Sequence, residues 1–156
     1  MQLDAVDRKI LAALQRDASV SVGELGERVG LSQSQCWRRV ERLQRAGIIV
    51  RRVAQLDRKK LGLNMQLFAQ IRLSRQASDA ARAFRAAVDT FPEVIELHSV
   101  LGNIDFLLKI VTTDLEAYER FLSDRLSSLP MVQEVHTIIS LSEHKGGGEL
   151  PVALAP

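Results

Sequence analysis

Apolar side chains recur at helical intervals over roughly the first third of the chain and largely at intervals of two beyond it, which predicts two units of different construction. Val6, Ile10 and Leu14 lie at i, i+4 and i+8 with Leu11 and Ala13 alongside, so a helix is expected from an Asp4 cap to about Asp17. Ser21 with Glu24, and Ser32 with Gln35, have the spacing of capping boxes, and Gly30 suits the left-handed residue that ends a helix. A short second helix therefore starts at Val22, and a third runs from about Gln33 to Ala46 and stops at Gly47. Ile48, Ile49, Val50 and Val53 read as a strand, followed by a polar, basic hinge over 57–62.

Beyond the hinge Leu67, Ala69, Ile71 and Leu73 alternate with Gln66, Phe68, Gln70 and Arg72, a strand with one apolar face. Ala80, Phe84, Val88 and Phe91 repeat at helical spacing until Pro92. Two β-rich runs, 94–101 and 106–113, flank the turn residues Gly102-Asn103-Ile104-Asp105. Asp114 then caps a helix carrying Leu115, Tyr118, Leu122, Leu126 and Leu129, and Val135, Thr137, Ile139 and Leu141 alternate in a last strand. The expected fold class is α+β: an N-terminal three-helix helix-turn-helix, winged through the 48–53 strand, over 1–60, and a ferredoxin-like βαββαβ unit over 61–145. Residues 146–156, with their glycines, prolines and alanines, are expected to form a disordered tail.

The third helix carries the candidate chemistry of the first unit. Cys36, Val40 and Leu43 form its buried stripe, which leaves Ser34, Arg38, Glu41 and Arg45 opposite and Gln35 and Arg42 beside them. Hydroxyl, amide and guanidinium groups backed by an apolar stripe suit a recognition helix, because they can read base edges or grip phosphates in a major groove. The candidate DNA-binding set is Ser32, Gln33, Ser34, Gln35, Trp37, Arg38, Arg39 and Arg42, with Arg51 and Arg52 beyond the helix placed to reach the DNA backbone or a partner chain. Trp37 flanks the stripe, a position more often filled by a packing residue than by a base-stacking one, and Cys36 reads as a small core filler rather than a reactive thiol.

Charge sharpens this picture. The net charge of +2 conceals a split: residues 1–60 hold 13 Lys and Arg against 7 Asp and Glu, and residues 61–156 hold 8 against 12. Nine basic residues against two acidic ones between Arg38 and Lys60 make a local field suited to a polyanion. A composition of 46% hydrophobic and 26% charged residues is that of a globular protein, and no apolar run has the roughly 20 residues a membrane helix needs. The acidic start of the chain is unlike a secretory signal, so a cytoplasmic protein that meets no membrane is expected. One cysteine and the scattered His98, His136 and His144 give no disulfide and no metal spacing. With no nucleophile–base pair and no phosphate loop either, a small enzyme is the least supported class, and no cofactor is expected.

Several stretches together resemble the Lrp/AsnC family of transcription regulators: Leu3-Asp4 with Asp7 and Ile10-Leu11, Gly30-Leu31-Ser32, Arg39-Val40 with Arg42-Leu43, Gly47-Ile48-Ile49, and Gly102-Asn103-Ile104-Asp105-Phe106-Leu107-Leu108. The resemblance covers residues 3 to about 145. It implies a regulator of double-stranded DNA that forms homodimers and assembles further, often to octamers, and holds an amino-acid effector between C-terminal domains. It also implies an effector site at Leu101, Gly102, Asn103 and Asp105, with Thr137 and Ile139 on a facing strand. Asp105 could offer acceptors to an α-ammonium, or serve only to form its turn. A DNA-organising protein without ligand control would use the same elements. Two residues depart from the family pattern: Met131 replaces a common glycine, and Gly26 stands in a helix interior where alanine is usual, an expected cost of about 0.5–1 kcal/mol.

Overall fold

A computed structural model of the chain describes residues 2–74, 79–146 and 148–155, arranged as two compact units, Met1–Gln55 with Lys145–Pro156, and Leu56–His144. In the first unit, helix α1 spans Ala5–Arg16, α2 Val22–Val29 and α3 Gln33–Arg45. Each begins with a reciprocal capping box, Asp4 with Asp7, Ser21 with Glu24 and Ser32 with Gln35, so the donors left free by a helix start are satisfied locally. Gly30 closes α2 at φ 75°, a conformation that glycine adopts without strain. Ile10, Leu11, Leu14, Val20, Leu25, Cys36, Val40 and Leu43 make one core.

Two expectations for this unit change. Residues 48–53 form no strand, because a strand needs a hydrogen-bonding neighbour and none stands beside them among the described residues. Among the described residues the helix-turn-helix therefore has no wing, and Val50 and Val53 lie exposed.

The chain end, expected to be disordered, is instead fastened to α1. Gln15 uses its side-chain amide as a strand would, donating to the Leu150 carbonyl at 3.1 Å and accepting from the Leu150 N–H at 2.7 Å. Arg8 donates to the Ala155 carbonyl, Arg16 pairs with Glu149, and Val152, in the short 3-10 helix Val152–Leu154, packs on the core. Composition pointed to disorder, but one amide and one valine suffice to hold so short a segment. Truncation after residue 146 is expected to lower the stability of this unit by about 1 kcal/mol, the scale of a half-buried valine plus hydrogen bonds to solvated groups. Urea unfolding followed by the fluorescence of Trp37, the single tryptophan, measures it; an unchanged midpoint would show that the segment only rests on the surface.

The second unit has the expected β-α-β-β-α-β order: β1 Met65–Leu73, α4 Ala80–Val88, β2 Val94–Ser99, β3 Phe106–Thr112, α5 Leu115–Phe121 and β4 Val132–Ile139. Its antiparallel sheet has the order β2-β3-β1-β4. The helix α5 begins at Asp114, which accepts from the Ala117 N–H, and runs into a π turn over Leu122–Leu126 that brings Leu126 into the core. Both helices cover one face of the sheet, where Leu67, Ala69, Ile71, Phe84, Phe106, Leu108, Ile110, Tyr118 and Phe121 are buried together. Phe68, Gln70 and Arg72 of β1 alternate with that set and mark the opposite face, which neither helix covers.

Candidate nucleic-acid interface and effector site

The local field of α3 is decided by two acidic residues at the start of α1. Asp7 is buried, with 1% of its side chain exposed, and its carboxylate accepts from Arg39 at 2.8 Å and from Arg42 at 2.6 and 2.7 Å. Asp4 also accepts from Arg39, at 2.6 Å. That hydrogen bond, with the N–H of Asp7, holds the Asp4 carboxyl down at about 2. The first turn of α1 is thus bolted to the middle of α3 through charges that a core alone would leave unmatched.

Arg39 and Arg42 are therefore paired with the carboxylates of α1, with 29% and 48% of their side chains still exposed. Ser32 and Gln35 are likewise engaged with each other in the cap that starts α3. Of the candidate residues on α3, Gln33, Ser34, Trp37 and Arg38 are exposed and stand outside these pairs, with the Ser34 hydroxyl 3.3 Å from that of Ser32. Trp37 is 52% exposed, so it is not the packing residue its position also allowed. Cys36 is fully buried, and burial pushes its thiol up, as befits a core filler. Arg51 and Arg52 are exposed on the irregular segment after α3.

In the second unit the 101–105 turn is anchored to the end of β1. The Asp105 carboxylate accepts from the Leu73 N–H at 2.7 Å, the Asp105 N–H donates to the Ile71 carbonyl, and Arg72 Nε donates to the Asn103 carbonyl. Leu101 is fully exposed and Gly102 has φ 155°.

Thr137 and Ile139 stand elsewhere. The register pairs them with Ala69 and Leu67, so both belong to the helix-covered face, and the Thr137 hydroxyl bonds that of Tyr118. The resemblance implied a facing strand there, but in this chain the alternation of β4 turns both side chains away from the concavity beside the turn. That concavity, of about 250 Å³, is lined by Gln70, Arg72, Asn103, Ile104, Glu134 and His136. Of these, only Asn103 was singled out from the sequence. Alternation places Gln70 and Arg72 on one face, but only the β1–β4 register shows that Glu134 and His136 stand opposite them. A larger concavity of about 1060 Å³ in the first unit is walled mainly by aliphatic groups such as Leu11, Leu14, Ile49 and Val152.

Among the described residues no group of three or more His, Cys, Asp or Glu could hold a metal ion, and no helix is long and apolar enough to cross a membrane. A tri-helical unit with an exposed polar side on its third helix, joined to a βαββαβ unit with a polar concavity, defines a DNA-binding protein that carries a second, ligand-binding domain. Residues 3–44 match the AsnC-type helix-turn-helix domain and residues 66–150 the Lrp/AsnC ligand binding domain, and the chain belongs to the Lrp/AsnC family of transcription regulators, which are not enzymes. It is 39% identical to the glutamate uptake regulatory protein of Zymomonas mobilis over 97% of this chain and 92% of that protein. The leucine-responsive regulatory protein of Escherichia coli K12 is also 39% identical, over 96% and 92%. A transcriptional regulator from Neisseria meningitidis, solved as its L-Met complex, superposes with a TM-score of 0.93 at 37% identity, covering 97% of each chain.

Proposed function

We propose that this regulator reads operator sequence through Gln33, Ser34, Trp37 and Arg38 and responds to a free amino acid held in its second unit. The observation that carries the reading is the division of labour on α3, where Asp7 and Asp4 draw Arg39 inward and Asp7 binds Arg42, while Arg38 stays free. Arg51 and Arg52 act on the phosphate backbone and hold register rather than read sequence. The names of the relatives, with leucine, glutamate and L-Met among them, support an amino-acid effector that shifts assembly and DNA binding.

The uncovered sheet face, with Phe68 half-buried and Ile138 43% exposed, supports a homodimer formed there, which then assembles further. A cytoplasmic location follows from this role.

The test separates the two kinds of arginine. Arg38→Ala is expected to lose about 1–3 kcal/mol of discrimination between operator and random DNA, the worth of a good base contact. Arg51→Ala should weaken both DNAs alike and reduce the slope of log K against log salt by about 1. Fluorescence anisotropy on both sequences over a salt series reads both effects. Equal losses on every sequence for both variants would overturn the base-reading assignment.

A further inference from the structure

We propose that Trp37 reads thymine: its indole lies against thymine 5-methyl groups in the major groove and so selects A·T pairs within the operator. This deepens the base reading assigned to α3 above and rests on it. Trp37 is 52% exposed, whereas Cys36, Val40 and Leu43 of the same helix are buried. Among the described residues of α1, α2 and α3 it is the one large apolar side chain left open to water. Among the described residues, too, no aromatic ring stacks on the indole and no guanidinium stands over it.

The position of Trp37 suits a base contact. It is the fifth residue of α3, and the N-terminal part of a recognition helix is the part that reaches base edges. At 100° per residue Trp37 points about 40° from Gln33 and about 60° from Ser34, with Arg38 about 40° beyond Ser34. The indole is thus the apolar member of an arc whose other members are polar. Glu41, one turn further along on the same side, is paired with Arg45 at 2.6 Å, so this side meets the phosphates without an unmatched negative charge.

The chemistry of the ring selects its contact. Base edges in the major groove present hydrogen-bonding groups, and the thymine 5-methyl is the apolar group among them. Indole leaves water because of its apolar area, so it gains against a methyl and gains little against a hydrated phosphate. Stacking on a base face would need an extruded or unpaired nucleotide, which a stacked duplex resists. Cytosine lacks the methyl, so the same contact discriminates T from C at a position where a hydrogen bond is not formed.

The experiment uses the full chain and the tightest duplex that wild type selects from a randomised duplex library. Each thymine of that duplex is replaced in turn by deoxyuridine, which keeps the base pair and removes only the methyl. The anisotropy of labelled DNA reads binding by wild type and by Trp37→Ala protein whose far-UV circular dichroism matches wild type. Uracil at one or more positions is expected to weaken wild type about fourfold per position, the worth of one buried methyl. At those positions Trp37→Ala should bind thymine and uracil DNA equally. If uracil weakens wild type nowhere, or weakens Trp37→Ala as much as wild type, the thymine contact is overturned, while a loss of operator discrimination in Arg38→Ala keeps the α3 reading. If Arg38→Ala and Trp37→Ala both discriminate operator from random DNA as wild type does, the α3 reading itself falls, and this contact with it.

Discussion

Asp7→Asn is expected to destabilise the DNA-binding unit by about 3 kcal/mol, because it removes the one carboxylate that neutralises two guanidinium groups at the α1–α3 junction. Breaking a buried pair from one side costs roughly 3–5 kcal/mol when the remaining charge stays buried. Here Arg39 and Arg42 keep 29% and 48% of their side chains exposed and can recover some water, which places the cost at the low end. The amide keeps the shape and one acceptor, so the loss reports charge rather than a cavity. Urea unfolding followed by Trp37 fluorescence registers this unit alone, and a midpoint within error of wild type would show that the Asp7 charge is not needed at this junction. Arg42→Ala should cost less than Asp7→Asn, since Asp7 would retain Arg39.

Gly26→Ala is expected to destabilise the same unit by about 1–2 kcal/mol although alanine is the better helix former. A Cβ on Gly26 would stand 2.8 Å from the Leu31 carbonyl oxygen and 3.5 Å from Cys36 Cβ, and the nearest obstacle is backbone that cannot swing aside. The Leu31 N–H also donates to the Gly26 carbonyl, so the turn between α2 and α3 is held against this residue from both directions. Helix propensity returns up to about 1 kcal/mol, while forcing a group into a packed site typically costs 1–3 kcal/mol. Gly23, in the same helix, meets only Ser21 Oγ at 3.9 Å, so Gly23→Ala should be neutral or stabilising. Opposite signs for the two substitutions in thermal unfolding are the expected result; a stabilising Gly26→Ala would mean that the turn yields.

Glycine 26 thus corrects the expectation drawn from its position in a helix. Judged by propensity alone it was a small liability; the close approach of the following turn makes it a requirement. The same contrast runs through both candidate sites. Asp7 and Arg39 lie 32 residues apart and Asp7 and Arg42 lie 35 apart, and no local rule distinguishes an arginine that faces DNA from one that faces a distant carboxylate. On helical spacing Arg38 and Arg42 looked alike, and packing separates them.

Features that depend on a few neighbouring residues were legible in the chain before any fold was known. The three capping boxes, the left-handed Gly30, the Cys36-Val40-Leu43 stripe and the β-α-β-β-α-β order all follow from spacing, because caps and periods act within one or two turns or strands. Relations between segments far apart in the chain emerged with the folded arrangement. The absence of a strand over 48–53, the fastening of Leu150 to Gln15, the turning of Thr137 toward Tyr118 and the meeting of Arg72 with Glu134 each depend on which partner a group finds. A backbone hydrogen bond or a charge is stabilised only by a complementary group within about 3 Å, and sequence spacing does not say which residues the fold will bring that close.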